Sequence, residues 1–202
     1  MAGHIGIPSR GTQGQHILTE RSGPPFGRKI SLSETLRRVR ASDLNRTSGA
    51  GEWTNAELIN HLIGGGVRYT LLLGQASTAK VEATRGVDHL GNDRLESFWA
   101  HETAFRTLAE ECVLQVPVAH RIGSIPGAQL VQMRILELAL HAADLSRGTG
   151  HDWPVDESLA AFIAEELGDL IIALGAEGGY RPPRPLDKGA SAAQRVLLLS
   201  GW

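Results

Sequence analysis

One cysteine, Cys112, stands in 202 residues. An internal disulfide is therefore excluded, and so is a cysteine-rich zinc site. In "AEECVLQV" the residue reads as a small buried hydrophobe. Neither sign of charge dominates: the net charge is -2 and the isoelectric point is near 6.4. Nucleic-acid binding, which calls for a strong basic bias, is not expected. No apolar run approaches the ~20 residues needed to span a bilayer. The N-terminus lacks the continuous apolar core of a secretory signal. These absences point to a cytoplasmic protein with no membrane partner. Clean apolar–polar alternation is missing as well, so strands are not expected. There is no internal repeat.

What the chain does have is helical punctuation and glycine, 24 residues of it. Residues 1–30 show neither a helical nor a strand period and read as an irregular arm. Ser31 with Glu34 offers a capping box, predicting a short helix to about Leu44. Thr54 with Glu57 offers a second, predicting a helix to Leu73 that stops at Gly74. Leu95, Phe98, Trp99, Phe105 and Leu108 recur at helical spacing and predict a helix over about 90–113. "PVAHRIGSIPG" reads as a loop because of its two prolines. Further helices are expected from Gly127 to Gly148, from about Asp156 to Leu174, and in "SAAQRVLLLSG". The expected fold is all-α, a helix bundle over 31–202 behind an arm over 1–30.

The stretch "RILELALHAADLSRGTG" (134–150) carries a polar stripe on an otherwise apolar helix. At ~100° per residue, Arg134, Glu137, His141 and Asp144 fall within an arc of roughly 80°. The stripe has two readings. It is a narrow solvent face with an Arg134–Glu137 ion pair, or it points inward, where Glu137 and His141 share a metal ion. Residues at i and i+4 lie one turn apart on one face and can reach one ion. Such a site needs a third ligand from another helix. His4, His16, His89, His120 and His151 lie in the arm or in expected loops and read as solvated. His101 reads as an edge residue beside Glu96, Glu102 and Arg106. His61 stands among Leu58, Ile59, Leu62 and Ile63, as a core histidine or a ligand. Gly64, Gly65 and Gly66 follow it. Three helical glycines cost ~1 kcal/mol each against alanine, so the run marks a helix break or a surface that something approaches closely.

Two blocks, "EWTNAELINHLIGG" (52–65) and "RILELALHAADLSRGTG", carry a family resemblance. The closing "SAAQRVLLLSGW" (191–202) adds to it. The chain resembles the DinB-like four-helix bundles, and among them the mycothiol-dependent maleylpyruvate isomerase N-terminal domain group of actinobacteria, from about residue 45 onward. The resemblance implies a DinB-like bundle with short extra helices, and a divalent metal held by His61, Glu137 and His141. Zinc is the first candidate, since two imidazoles and a carboxylate leave a position for water or a thiolate. Iron(II) takes the same donors. The implied chemistry is that of a transferase or isomerase joining a small thiol, mycothiol or one like it, to a small electrophile. The alternative is a metal- or ligand-binding bundle without catalysis. Asp144 would orient the ligands or pack the helix rather than ligate, and Arg134 would meet a carboxylate-bearing substrate or form an ion pair. A homodimer is also in keeping with the family. Two departures stand out: the first helix is short, and Ala143 stands where the family often has tryptophan. The family's isomerase carries a further C-terminal domain, which is not expected after Trp202.

Overall fold

The computed structural model describes residues 31–202. The arm expected over 1–30, with His4 and His16, lies outside the described residues. So does the side chain of Ser31, on which the first capping box rests. The fold is mostly helical with one small two-stranded sheet. In chain order the elements are α1 (Ser31–Arg38), a 3-10 turn (Ala41–Asp43), α2 (Asn55–Leu73), α3 (Thr78–Glu82) and α4 (Arg94–Glu111). Then come β1 (Pro117–His120), β2 (Gly123–Pro126), α5 (Gly127–Thr149), α6 (Glu157–Glu166), α7 (Gly168–Ala176) and α8 (Ala192–Leu199). No described helix is long and apolar enough to cross a membrane.

The starts of the long helices follow local chemistry. Thr54 and Glu57 form the expected reciprocal box: the Glu57 N–H donates to Thr54 Oγ1 at 3.2 Å, and the Thr54 N–H donates to Glu57 Oε2 at 2.8 Å. Two of the orphan N–H groups of α2 are thereby satisfied. Asp93 starts α4 by accepting the N–H groups of Leu95 and Glu96. Gly150, at φ +76°, ends α5 in the left-handed region that glycine enters without steric cost.

Four expectations need correction. The helix expected to reach Leu44 stops at Arg38, because the Asp43 carboxylate accepts the Arg40 N–H and caps a separate turn. The loop expected at 117–127 is a β-hairpin. Its two prolines pair with each other at the open end of the ladder, Pro117 opposite Pro126, where proline is tolerated. The helix expected over 156–174 breaks at Leu167, whose φ of -115° and ψ of 3° are not helical. Gly168 follows, close to the Leu199 side chain of α8. Finally, α3 had no apolar period to reveal it; Val81 is its buried residue.

Helix α2 packs against α4 and α5, α1 packs against α5 and α4, and α8 packs against α6 and α7. Two apolar clusters result. One gathers Leu32, Leu36, Leu58, Ile59, Phe98, Leu138 and Leu145. The other gathers Leu73, Phe105, Leu130, Leu136, Ile163 and Val196. Each large side chain so buried contributes ~1.5–3 kcal/mol relative to exposure. Cys112 is half-buried at the rim of the second cluster. Along α2 and α4 a short segment, Gly64–Gly66 and Glu102 respectively, separates the residues of one cluster from those of the other. On α5 the two sets interleave around Arg134 and Glu137.

Candidate metal centre

Arg134 is the largest fully buried side chain of the described residues, 1% exposed. A guanidinium so placed must have its donors met. Its Nε and Nη2 donate to Glu102 Oε2 at 3.2 and 3.0 Å. Its Nη2 also donates to the Leu62 carbonyl on α2 at 3.1 Å, and its Nη1 to Glu137 Oε2 at 2.6 Å. Glu102 is buried too, and its other oxygen accepts from Arg106 Nε at 3.1 Å. Arg134 therefore does not face a substrate. It is the buried hub of an ionic network that ties α4 to α5 and fastens both to the α2 backbone.

The glycine run explains how the guanidinium comes so close to a helix backbone. Helix α2 passes through Gly64–Gly66 without a break. A Cβ on Gly65 would stand 2.5 Å from Arg134 Nη1 and 3.1 Å from Glu137 Oε2. One on Gly66 would stand 3.0 Å from the His101 Cβ. Of the two meanings of the run, close approach is the one realised.

Past Arg134, the rest of the stripe turns toward α2. His61 Nε2 and Glu137 Oε1 lie 3.1 Å apart. The His61 and His141 rings meet edge-on with centroids 5.5 Å apart. On the far side of His141, Nδ1 lies 2.7 Å from Asp144 Oδ2. The carboxylate is an acceptor, so Nδ1 carries a proton, and in the neutral imidazole Nε2 is the nitrogen with the free lone pair. Asp144 is itself held in place: the Gly49 N–H donates to the Asp144 carbonyl at 2.9 Å. The Trp53 ring, 40% exposed, lies against His61 at 4.8 Å between centroids.

Burial pushes the Glu137 carboxyl up, but Arg134, then His61 and His141, outweigh it and hold the group well below the usual carboxylate range. Glu137 is thus a permanent anion at the heart of the centre. Burial, followed by the Glu137 charge, raises the hydroxyls of Tyr69 and Tyr180, so both stay protonated.

The structure brings His61, Glu137, His141, Asp144 and Arg134 into one neighbourhood. It does not array three of them about a single point. Among the described residues no three His, Cys, Asp or Glu side chains form a ready metal cage. Instead, the His61 and Glu137 donor atoms face each other across a hydrogen bond. His89, expected to be solvated, is half-buried: its N–H donates to Asn60 Oδ1, its Nε2 lies 3.0 Å from the Thr84 carbonyl, and its ring meets His101. His120 is also half-buried, and burial lowers its pKa. His151 is exposed, as expected.

Sequence reasoning missed Glu102, Trp53 and Arg68. For Glu102 a signal existed: Phe98, Glu102, Phe105 and Ala109 form the buried stripe of α4 at helical spacing. For Trp53 and Arg68, one in a loop and one on a mixed face, there was none.

Two curated relatives come from Mycobacterium tuberculosis: the uncharacterized protein MT0763 of strain CDC 1551 and the uncharacterized protein Rv0738 of strain H37Rv. Each is 27% identical to this chain over 131 residues, 64% of this chain and 68% of the relative. No family model matches the chain. No solved structure matches it.

Proposed function

We propose that His61, Glu137 and His141 bind one divalent metal ion, and that the centre serves thiol chemistry on a small electrophile. The observation that carries this reading is the meeting of two imidazoles and one largely buried, ionised carboxylate from two facing helices in one neighbourhood. The donor set suits zinc and also iron(II). The surroundings support it. Asp144 takes the Nδ1 proton of His141, the usual carboxylate partner of a ligating histidine, and leaves Nε2 as the donor atom. Arg134 occupies one oxygen of Glu137 and leaves Oε1 facing His61. His61 Nε2 and Glu137 Oε1, now 3.1 Å apart, would face the ion in place of each other.

Bound there, such an ion would lower the pKa of a coordinated thiol and keep it as the nucleophilic thiolate. The protein's part is to hold the donor atoms, to keep Glu137 charged through Arg134, and to flank His61 with Trp53. The packing of α1 and α2 each against both α4 and α5 supports the DinB-like four-helix bundle that the sequence resembles. With it comes an isomerase or transferase using mycothiol or a similar thiol.

The test is metal content, by mass spectrometry, on purified wild type and His141→Ala. The reading predicts near-stoichiometric zinc or iron in the wild type and loss in the variant. A wild type that takes up no metal, even from added zinc, would remove the centre. Thiol consumption with a panel of electrophiles then separates catalysis from binding alone.

A further inference from the structure

Arg68 lies seven residues after His61 on α2. Seven residues span close to two turns, so both side chains share one face of the helix, about 10.5 Å apart along its axis. The Arg68 side chain folds back along α2, and its Nη2 donates to the His61 carbonyl, which points toward it, at 3.0 Å. Gly64 makes room for this: a Cβ there would stand 2.9 Å from Arg68 Nη1 and 2.6 Å from the His89 ring. The guanidinium is thus parked within a turn of the proposed ligand His61.

It is half-buried, and among the described residues it forms no ion pair. That sets it apart from the other arginines near the centre. Arg134 is held by Glu102 and Glu137, Arg106 by Glu102, and Arg85 by Glu82. A half-buried guanidinium cannot shed its proton, and with no carboxylate against it among the described residues a docking anion supplies the missing partner.

Helix α2 ends at Leu73, and the chain turns away at Gly74 and Gln75. There a cavity of about 430 Å³ opens between Leu72, Gln75 and Ala76 of α2 and its end and Pro117, Ala119 and His120 of the hairpin.

We propose that Arg68 is the anion-anchoring residue of this site and takes a carboxylate of a small substrate beside His61. The inference rests on the function proposed above, because that reading places the reacting centre at His61. Arg134, which the sequence alone makes the candidate for this task, is sealed under two carboxylates and does not serve. Two donors of Arg68 can meet both oxygens of a carboxylate, a geometry that lysine reproduces only in part.

The test uses 15N-labelled full chain, titrated with succinate and, separately, with uncharged succinamide. Amide shifts of Gly64 to Arg68 are followed by NMR, with and without added zinc. Succinate is expected to shift these resonances saturably, and succinamide is not. Arg68→Gln is expected to weaken succinate binding about tenfold or more, with Arg68→Lys recovering part of the loss. Both variants are expected to keep the zinc content of the wild type. Equal binding of succinate and succinamide overturns the assignment, and so does unchanged succinate binding in Arg68→Gln. Should Arg68→Gln fail to fold, the succinamide comparison and Arg68→Lys still decide. Absence of zinc in every sample would sink the metal centre instead, a separate result from loss of anion binding.

Discussion

Two layers of the protein bury comparable side chains by opposite means. In the cluster around Phe105, Leu130, Leu136 and Ile163, everything fully buried is apolar. Within the same helices the buried Glu102 and Arg134, with the largely buried Glu137, are held as charges. The apolar layer gains free energy from each side chain removed from water. The charged layer pays desolvation for each ion and recovers it through short, satisfied hydrogen bonds, with a net result near zero. Its value is therefore not stability. It holds Glu137 ionised and aimed at His61.

That contrast can be broken from either side. Phe105→Ala is expected to destabilise by about 3–5 kcal/mol in urea unfolding, through the cavity it leaves, while zinc stoichiometry in the folded protein stays unchanged. Arg134→Met should cost a similar ~3–5 kcal/mol for a different reason, because two buried carboxylates lose their cation. Here zinc binding should fall as well, and this second readout separates the two layers.

Smaller changes sharpen the picture. Gly65→Ala puts a methyl group 2.5 Å from Arg134 Nη1. It is expected to lower stability by about 1–3 kcal/mol, whereas Gly189→Ala, with nothing within 4 Å, should stay within about 0.5 kcal/mol of wild type by thermal melting. Asp144→Asn should leave the melting temperature nearly unchanged and weaken zinc binding about 10–100-fold, measured by competition with a chelating dye. The smallest effect is expected at acid pH. Backbone N–H donors hold the capping carboxylates Asp43, Glu57 and Asp93 below their ordinary values of 3.8, 4.5 and 3.8. Groups lowered on folding contribute stability that is present above those ordinary values and is lost as pH falls below them. Asp93→Asn should therefore flatten the fall in urea midpoint between about pH 4.5 and pH 3 relative to wild type.

The helices of the centre were legible because their signals are local. Thr54 and Glu57 announce α2, and the 134–150 stripe announces α5 and its polar residues. The direction of that stripe was not legible, since a wheel shows which residues share a face and not what the face meets. The glycine run held part of the answer: its meaning depended on Arg134, 69 positions away from Gly65 in sequence, reaching across to the Leu62 carbonyl. Glu102 went unread because a charged residue beside Arg106 looks like a surface ion pair. Its place between Phe98 and Phe105 was the better guide. The hairpin stayed hidden because its prolines, which usually bar strands, sit at the end of the ladder.

The most direct measurement is urea unfolding, with zinc content, of the triple variant Glu102→Met, Arg134→Met, Glu137→Leu. Removing the whole charged layer should leave stability within about 1–2 kcal/mol of wild type, or raise it, while zinc binding disappears. A triple variant destabilised as much as Phe105→Ala, or one that still binds a full equivalent of zinc, would contradict the division between the layer that folds the protein and the layer that serves its centre.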